Sequence, residues 1–160
     1  MSTASLHKYV LRPVGKEAAP ILTEIHAEAF ANYWNPNDFN DFFAISGTTG
    51  LLAEAEGATN SFPAGMAVLR VIGDQADIIT IAVRPRHRRQ GLARALMQHA
   101  MDLAIKSGAS TMYLDVEEGN IPAIYLYEAL GFRQLSRRKL YYRQKDGTYT
   151  DALVMTRKLA

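Results

Sequence analysis

No cysteine occurs in the chain, which excludes disulfide staples, a thiolate nucleophile and any cysteine-ligated metal. Long apolar runs are missing too. The longest, such as Ile78–Val83, fall far short of the roughly 20 residues that a membrane-spanning helix needs. The first residues lack a basic stretch followed by an apolar core, so no secretory signal is read there and a cytoplasmic location is expected. Net charge is small, a formal +2 over 160 residues, and implies neither nucleic acid nor a membrane as partner. Histidine is scarce, and His7, His26, His87 and His99 show no metal-ligand spacing with one another or with acids, so no metal is expected. No Ser-His-Asp arrangement stands out. The dinucleotide fingerprint Gly-x-Gly-x-x-Gly is absent, and no Gly-Lys-Ser/Thr completes a P-loop.

What is present is ordinary globular composition, 48% hydrophobic and 21% charged, enough for one domain over 1–160 with its own core. Lys8–Val14 reads as a strand and Lys16–Phe30 as a helix with Ile21, Leu22, Ile25, Ala29 and Phe30 on one side. Asn35-Pro36-Asn37-Asp38 opens a short helix carrying Phe39, Phe42 and Phe43, and Ser46–Thr49 reads as a turn. Leu51–Ala55 and Ala64–Ile72 are expected strands joined by a Gly57–Pro63 loop. Gly73-Asp74 leads into Ala76–Val83, whose nearly unbroken apolar run suits a central strand buried on both faces. From Gly91 the period changes to 3.6, with Leu92, Ala93, Leu96, Met97, Ala100, Leu103 and Ala104 in one stripe closed by Gly108. Thr111–Val116 is read as another buried strand, and Asn120 as the cap of a short helix ending at Gly131. Phe132–Tyr142 and Ala152–Lys158 finish as strands around Lys145-Asp146-Gly147. The order predicts an α/β fold: a mixed, largely antiparallel sheet of about seven strands with helices on both faces.

Basic residues are clustered. Arg84, Arg86, His87, Arg88, Arg89 and Arg94 fall in one stretch, and Arg133, Arg137, Arg138 and Lys139 in another. The first cluster lies between an apolar strand and a helix that opens at Gly91-Leu92-Ala93. Amides at a helix N-terminus are unpaired and carry partial positive charge. Gly91 and Ala93 let an anion approach the backbone closely, and Arg88, Arg89 and Arg94 can neutralise a multiply charged ligand. The segment therefore reads as an anion cradle.

Arg88-x-x-Gly91-x-Ala93, preceded by Ile81-Ala82-Val83-x-Pro85 and followed by Asn120-x-x-Ala123-x-x-x-Tyr127-x-x-x-Gly131-Phe132, resembles the signature of the GNAT superfamily of acetyl-CoA-dependent N-acetyltransferases. Within it the chain is similar to the ribosomal-protein alanine N-acetyltransferases. That likeness rests on Ala29-Phe30 followed by Trp34 and Phe39, on Leu114-Asp115-Val116, and on Arg137-Arg138-x-x-Tyr141-Tyr142 with Gly147 and Asp151-Ala152-Leu153. Two positions depart from the pattern: Asp115 stands where the family carries Glu, and Tyr33-Trp34 where it carries Pro-Trp.

The resemblance implies acetyl-CoA as cosubstrate and direct transfer of its acetyl group to an amine. Backbone groups of Ile81, Ala82 and Val83 would pair with the pantetheine arm. Amides and side chains of Arg88, Arg89, Gln90, Gly91, Leu92, Ala93 and Arg94 would hold the pyrophosphate, and Asn120 would bond the cofactor arm. Tyr127 would protonate the departing thiolate, with Tyr125 as the alternative. Asp115 would be the base, with Glu117 and Glu118 as competitors. Trp34, Tyr141 and Tyr142 would meet the acceptor; Trp34, Phe39, Phe42 and Phe43 read as core or, as the lesser alternative, a wall of the acceptor site. The expected acceptor is a protein or peptide N-terminus, with a ribosomal protein as the candidate that the resemblance implies, and the expected assembly a monomer or homodimer. Two other readings stay open: a GNAT enzyme for a small amine, and a non-catalytic acyl-CoA-binding module.

Overall fold

The computed structural model describes residues 8–57 and 60–159. His7, the N-terminal stretch read for a signal, and two residues of the 57–63 loop lie outside them. The elements follow in the expected order: β1 (Tyr9–Val14), α1 (Ala19–Ala29), α2 (Pro36–Phe43), β2 (Thr48–Glu56), β3 (Ser61–Ile72), β4 (Gln75–Val83), α3 (Leu92–Lys106), β5 (Thr111–Glu117), α4 (Ile121–Ala129), β6 (Arg133–Arg143) and β7 (Tyr149–Lys158). The strands form one seven-stranded sheet in the order β1-β2-β3-β4-β5-β7-β6. It is mixed: β4 and β5 run parallel, whereas β1/β2, β5/β7 and β6/β7 are antiparallel. Parallel neighbours need a crossover, and α3 supplies it.

Residues cluster into two compact units, one holding the chain up to Val68 with Thr80–Ala100, the other Leu69–Ile79 with Met101–Ala160. In the first, α1 follows a 3-10 turn at Lys16–Ala18 and buries Ala19, Leu22, Ile25 and His26. The eight-residue α2 is held by a capping box in which Asn35 and Asp38 exchange side-chain and backbone bonds. Gly65 on β3 permits a close approach: a Cβ there would sit 3.1 Å from the Ala82 carbonyl and from the Leu92 side chain. Leu92, Leu96, Met97 and Ala100 of α3 are buried.

In the second unit, β5 alternates, with Met112, Leu114 and Val116 buried and Thr111, Tyr113, Asp115 and Glu117 half-buried on the other face. It is therefore fully buried on one face only, and β4, whose apolar run suited burial on both faces, alternates likewise, with Asp77, Ile79 and Ile81 only half-buried. β6 is the sheet edge and is exposed at nearly every position.

Several boundaries differ from expectation. Thr48 and Thr49, read as a turn, open β2, and β3 begins at Ser61 and runs through Phe62 and Pro63. A proline near a strand's start removes only one donor, which is why the strand survives it.

Candidate active site

The first unit carries the basic segment. After β4 the chain makes a 3-10 turn at Pro85–His87. It then passes through left-handed backbone at Arg89 (φ 62°) and Gly91 (φ 76°) before α3 begins. The first helical bond runs from the Ala95 N–H to the Gly91 carbonyl, 3.0 Å. The amides of Leu92, Ala93 and Arg94 thus precede any carbonyl one turn back, as at every helix start. Nothing lies within 4 Å of a Cβ built at Gly91, so the space above it is open to a ligand and the glycine is required by its φ.

The arginines divide by partner. Arg84 is spent on α1, with guanidinium nitrogens 3.5 Å from Glu24 and 3.1 Å from Glu28. Arg88 donates its Nε–H to the Val83 carbonyl (3.3 Å), which lays its stem along the loop. Among the described residues no carboxylate pairs with Arg88, Arg89 or Arg94. The Leu92 side chain is buried, leaving only its amide for a ligand. Gln90 likewise turns its side chain inward, bonding Tyr9 and the Arg86 carbonyl. The parallel register of β4 with β5 ends at Ile78↔Leu114, so Ile81, Ala82 and Val83 lie beyond that ladder.

Trp34 is half-buried in an aromatic cluster of the same unit. Its indole stacks on His26 (centroids 4.8 Å apart) and on Phe42 (4.6 Å), and meets Phe39 edge-on at 5.3 Å. The Trp34 backbone N–H donates to His26 Nδ1 (3.1 Å), and His26 Nε2 lies 3.2 Å from Thr80 Oγ1. Burial pushes the imidazole down to about 4, against a smaller opposing pull from Asp38, so it is neutral at physiological pH. Phe39 belongs to the core outright. His26, which ties Trp34 to β4, was not singled out from sequence.

The second unit carries the expected proton-transfer groups. Burial raises the Asp115 carboxyl above its ordinary range; Arg138, whose Nε is 3.6 Å from Oδ1, pulls it back, and Asp77 pushes it further up. Glu117, on the same face of β5, accepts hydrogen bonds from Gln144 Nε2 and Thr150 Oγ1, both 2.9 Å. Glu118 is paired with Arg137, which also bonds Asp151.

Tyr127 is buried, edge-on to Phe132 at 6.1 Å. Burial alone pushes its phenol up to about 12, and its hydroxyl has no hydrogen-bond partner among the described residues. Tyr125, the alternative acid, is 68% exposed. Asn120 caps α4, its Oδ1 accepting the Ala123 N–H at 3.3 Å; the amide nitrogen stays available.

On β6 the register shifts between Arg138 and Tyr142. Leu140 adopts φ 52° there, and its N–H donates to Asp151 Oδ1 at 3.0 Å. This bulge sets the neighbours apart: Tyr141 is exposed beneath the Arg138 guanidinium (5.4 Å), whereas Tyr142 is half-buried. The Tyr142 phenol is raised by burial first, then by Asp115, Tyr141, Tyr127 and Glu117, which groups these side chains electrostatically. Among the described residues no cluster of His, Asp and Glu could hold a metal, and no helix is long and apolar enough to cross a membrane.

Residues 19–132 match the model of the acetyltransferase (GNAT) family. A ribosomal protein bS18-alanine N-acetyltransferase of Escherichia coli K12 is 43% identical over 96 residues, 60% of this chain; the match spans 64% of that relative's length. A putative enzyme of the same description from Bacillus subtilis is 29% identical over 149 residues, covering 92% of this chain and 94% of its own. The crystal structure of the ribosomal-protein-S18-alanine N-acetyltransferase from E. coli superposes with a TM-score of 0.84 at 30% identity, covering 96% of this chain and 95% of that one. The chain belongs to the acetyltransferase (GNAT) family.

Proposed function

We propose that residues 1–160 act as one catalytic domain that transfers an acetyl group from acetyl-CoA to the N-terminal α-amine of a protein, of the ribosomal-protein alanine type. The carrying observation is the loop from Arg88 to Arg94: left-handed backbone at two positions, open space over Gly91, and arginines without carboxylate partners among the described residues. That donor set fits a pyrophosphate, and it lies inside the family match. Arg88, Arg89, Arg94 and the amides of Gly91 to Arg94 bind it. The Asn120 amide and the backbone of Ile81 to Val83 hold the arm, and Tyr127 keeps its proton for the leaving sulfur.

Magnitudes favour an α-amine as acceptor. Its pKa of ~8 lies about one unit above pH 7, so deprotonation costs ~1.4 kcal/mol, against ~4.6 for a lysine near 10.4. Asp115 is raised by burial but held back by Arg138, and a carboxylate of this kind, relaying through water, suffices only for the easier proton. Trp34 in the first unit and Tyr141 and Tyr142 in the second are the side chains assigned to acceptor recognition.

The test compares kcat/KM for a peptide beginning Ala-Arg, for the same peptide N-terminally blocked but bearing a free lysine, and for spermidine. The free N-terminus should be preferred by at least tenfold. A blocked peptide or polyamine that performs equally well returns the chain to the lysine or small-amine reading. No acetyl transfer to any amine would make it a binding module.

A further inference from the structure

Tyr9 opens β1, 78 positions before His87, yet its hydroxyl lies 3.0 Å from His87 Nδ1 and 3.0 Å from Gln90 Oε1. The rings of Tyr9 and His87 also meet edge-on at 5.7 Å. Donor chemistry orders these contacts. An amide oxygen only accepts, so the single phenol proton goes to Gln90; His87 Nδ1 must then supply the other hydrogen. Gln90 passes the chain on, its Nε2 donating to the Arg86 carbonyl at 3.4 Å. The result is a directed series from His87 through Tyr9 and Gln90 to the loop backbone. It spans Arg88 and Arg89, with Gln90 one residue before Gly91 and its last acceptor the Arg86 carbonyl. His87 is buried at 4% exposure, so the series is anchored in the core, and its far end holds the segment that adopts left-handed backbone at a non-glycine residue. Such backbone costs energy and persists only where its surroundings impose it.

We infer that Tyr9 is a positioning residue for the anion loop: through His87 and Gln90 it fixes the backbone of Arg86–Gly91 in the shape that receives the cosubstrate pyrophosphate. This rests on the acyl-CoA reading above. Tyr9 touches no reacting atom, so its loss acts on cosubstrate affinity and not on the chemical step.

Tyr9→Phe deletes both hydrogen bonds and keeps the ring packed. KM and Kd for acetyl-CoA should rise about tenfold, as expected for one to two lost bonds, with kcat at saturation within twofold of the parent. S-acetylpantetheine, which has the thioester but no pyrophosphate, should be used equally well by parent and variant. Gln90→Met, which cuts the series from the loop side, should reproduce the acetyl-CoA defect. An unchanged KM in Tyr9→Phe, or an equal loss with S-acetylpantetheine, overturns the inference. Failure of the parent to bind acetyl-CoA would instead overturn the reading beneath it, and this inference with it.

Discussion

A phenol that keeps its proton to about pH 12 is a poor acid in water and a usable one where, as in the proposed transfer, the thiolate beside it is equally desolvated. Replacing Tyr127 by Phe keeps the ring against Phe132 and removes only the hydroxyl. We expect kcat to fall by about 10²–10⁴ with acetyl-CoA affinity nearly unchanged; turnover within twofold of the parent would leave Tyr127 a core residue. Individual residues were legible where their meaning is local. Asn120 and Tyr127 belong to one short helical pattern, and the arginines to one loop. His26 and Tyr9 were not legible, because their partners lie 54 and 78 positions away and an isolated His or Tyr carries no mark of what it will meet. Gln90 was read toward the ligand for the same reason: nothing nearby in sequence announces a tyrosine that claims its side chain.

Among the elements, α2 is the most dependent on its ends. Eight residues are too few for a helix to persist on propensity, so the Asn35–Asp38 box and the burial of Phe39 hold it. Asn35→Ala should cost about 1 kcal/mol, and Asn35→Ser much less. Urea unfolding of the three proteins checks this, and equal midpoints for Asn35→Ala and the parent would remove the cap from the account. Periodicity and the punctuation of Gly and Pro made every helix and strand visible in order. The ends and faces were less visible, since pairing decides them. Thr48 and Thr49 join β2 although their neighbours look turn-like. β5 buries one face despite its apolar content. The bulge in β6 depends on Asp151 reaching Leu140 from the neighbouring strand, which no local pattern in Arg137–Tyr142 encodes.

For the whole molecule, acid is the informative perturbant. His26 has a folded pKa of about 4 against an ordinary 6.5, so the unfolded chain takes up its proton first. Its contribution to stability is full above pH 6.5 and is lost as pH falls toward 4. The shift corresponds to a loss on the order of 2–3 kcal/mol. The raised carboxyl of Asp115 works in the opposite sense: it disfavours the folded state once ionised, and that penalty is relieved as pH falls back toward the ordinary carboxylate pKa. Unfolding free energies at pH 7 and pH 4.5 should therefore drop more for the parent than for His26→Gln; parallel profiles would show that the imidazole does not titrate as described. Composition, element order and the basic loop that opens α3 were all readable at this scale, because each is a property of contiguous sequence. The acid sensitivity was not, since it arises from burial of one ring among aromatic neighbours. Trp34 gives that ring an optical reporter. It is the only tryptophan in the chain, so the entire indole emission of the protein originates in one stack between His26 and Phe42. Imidazolium quenches indole where neutral imidazole does not. Without any label, one fluorescence channel therefore follows the charge on His26.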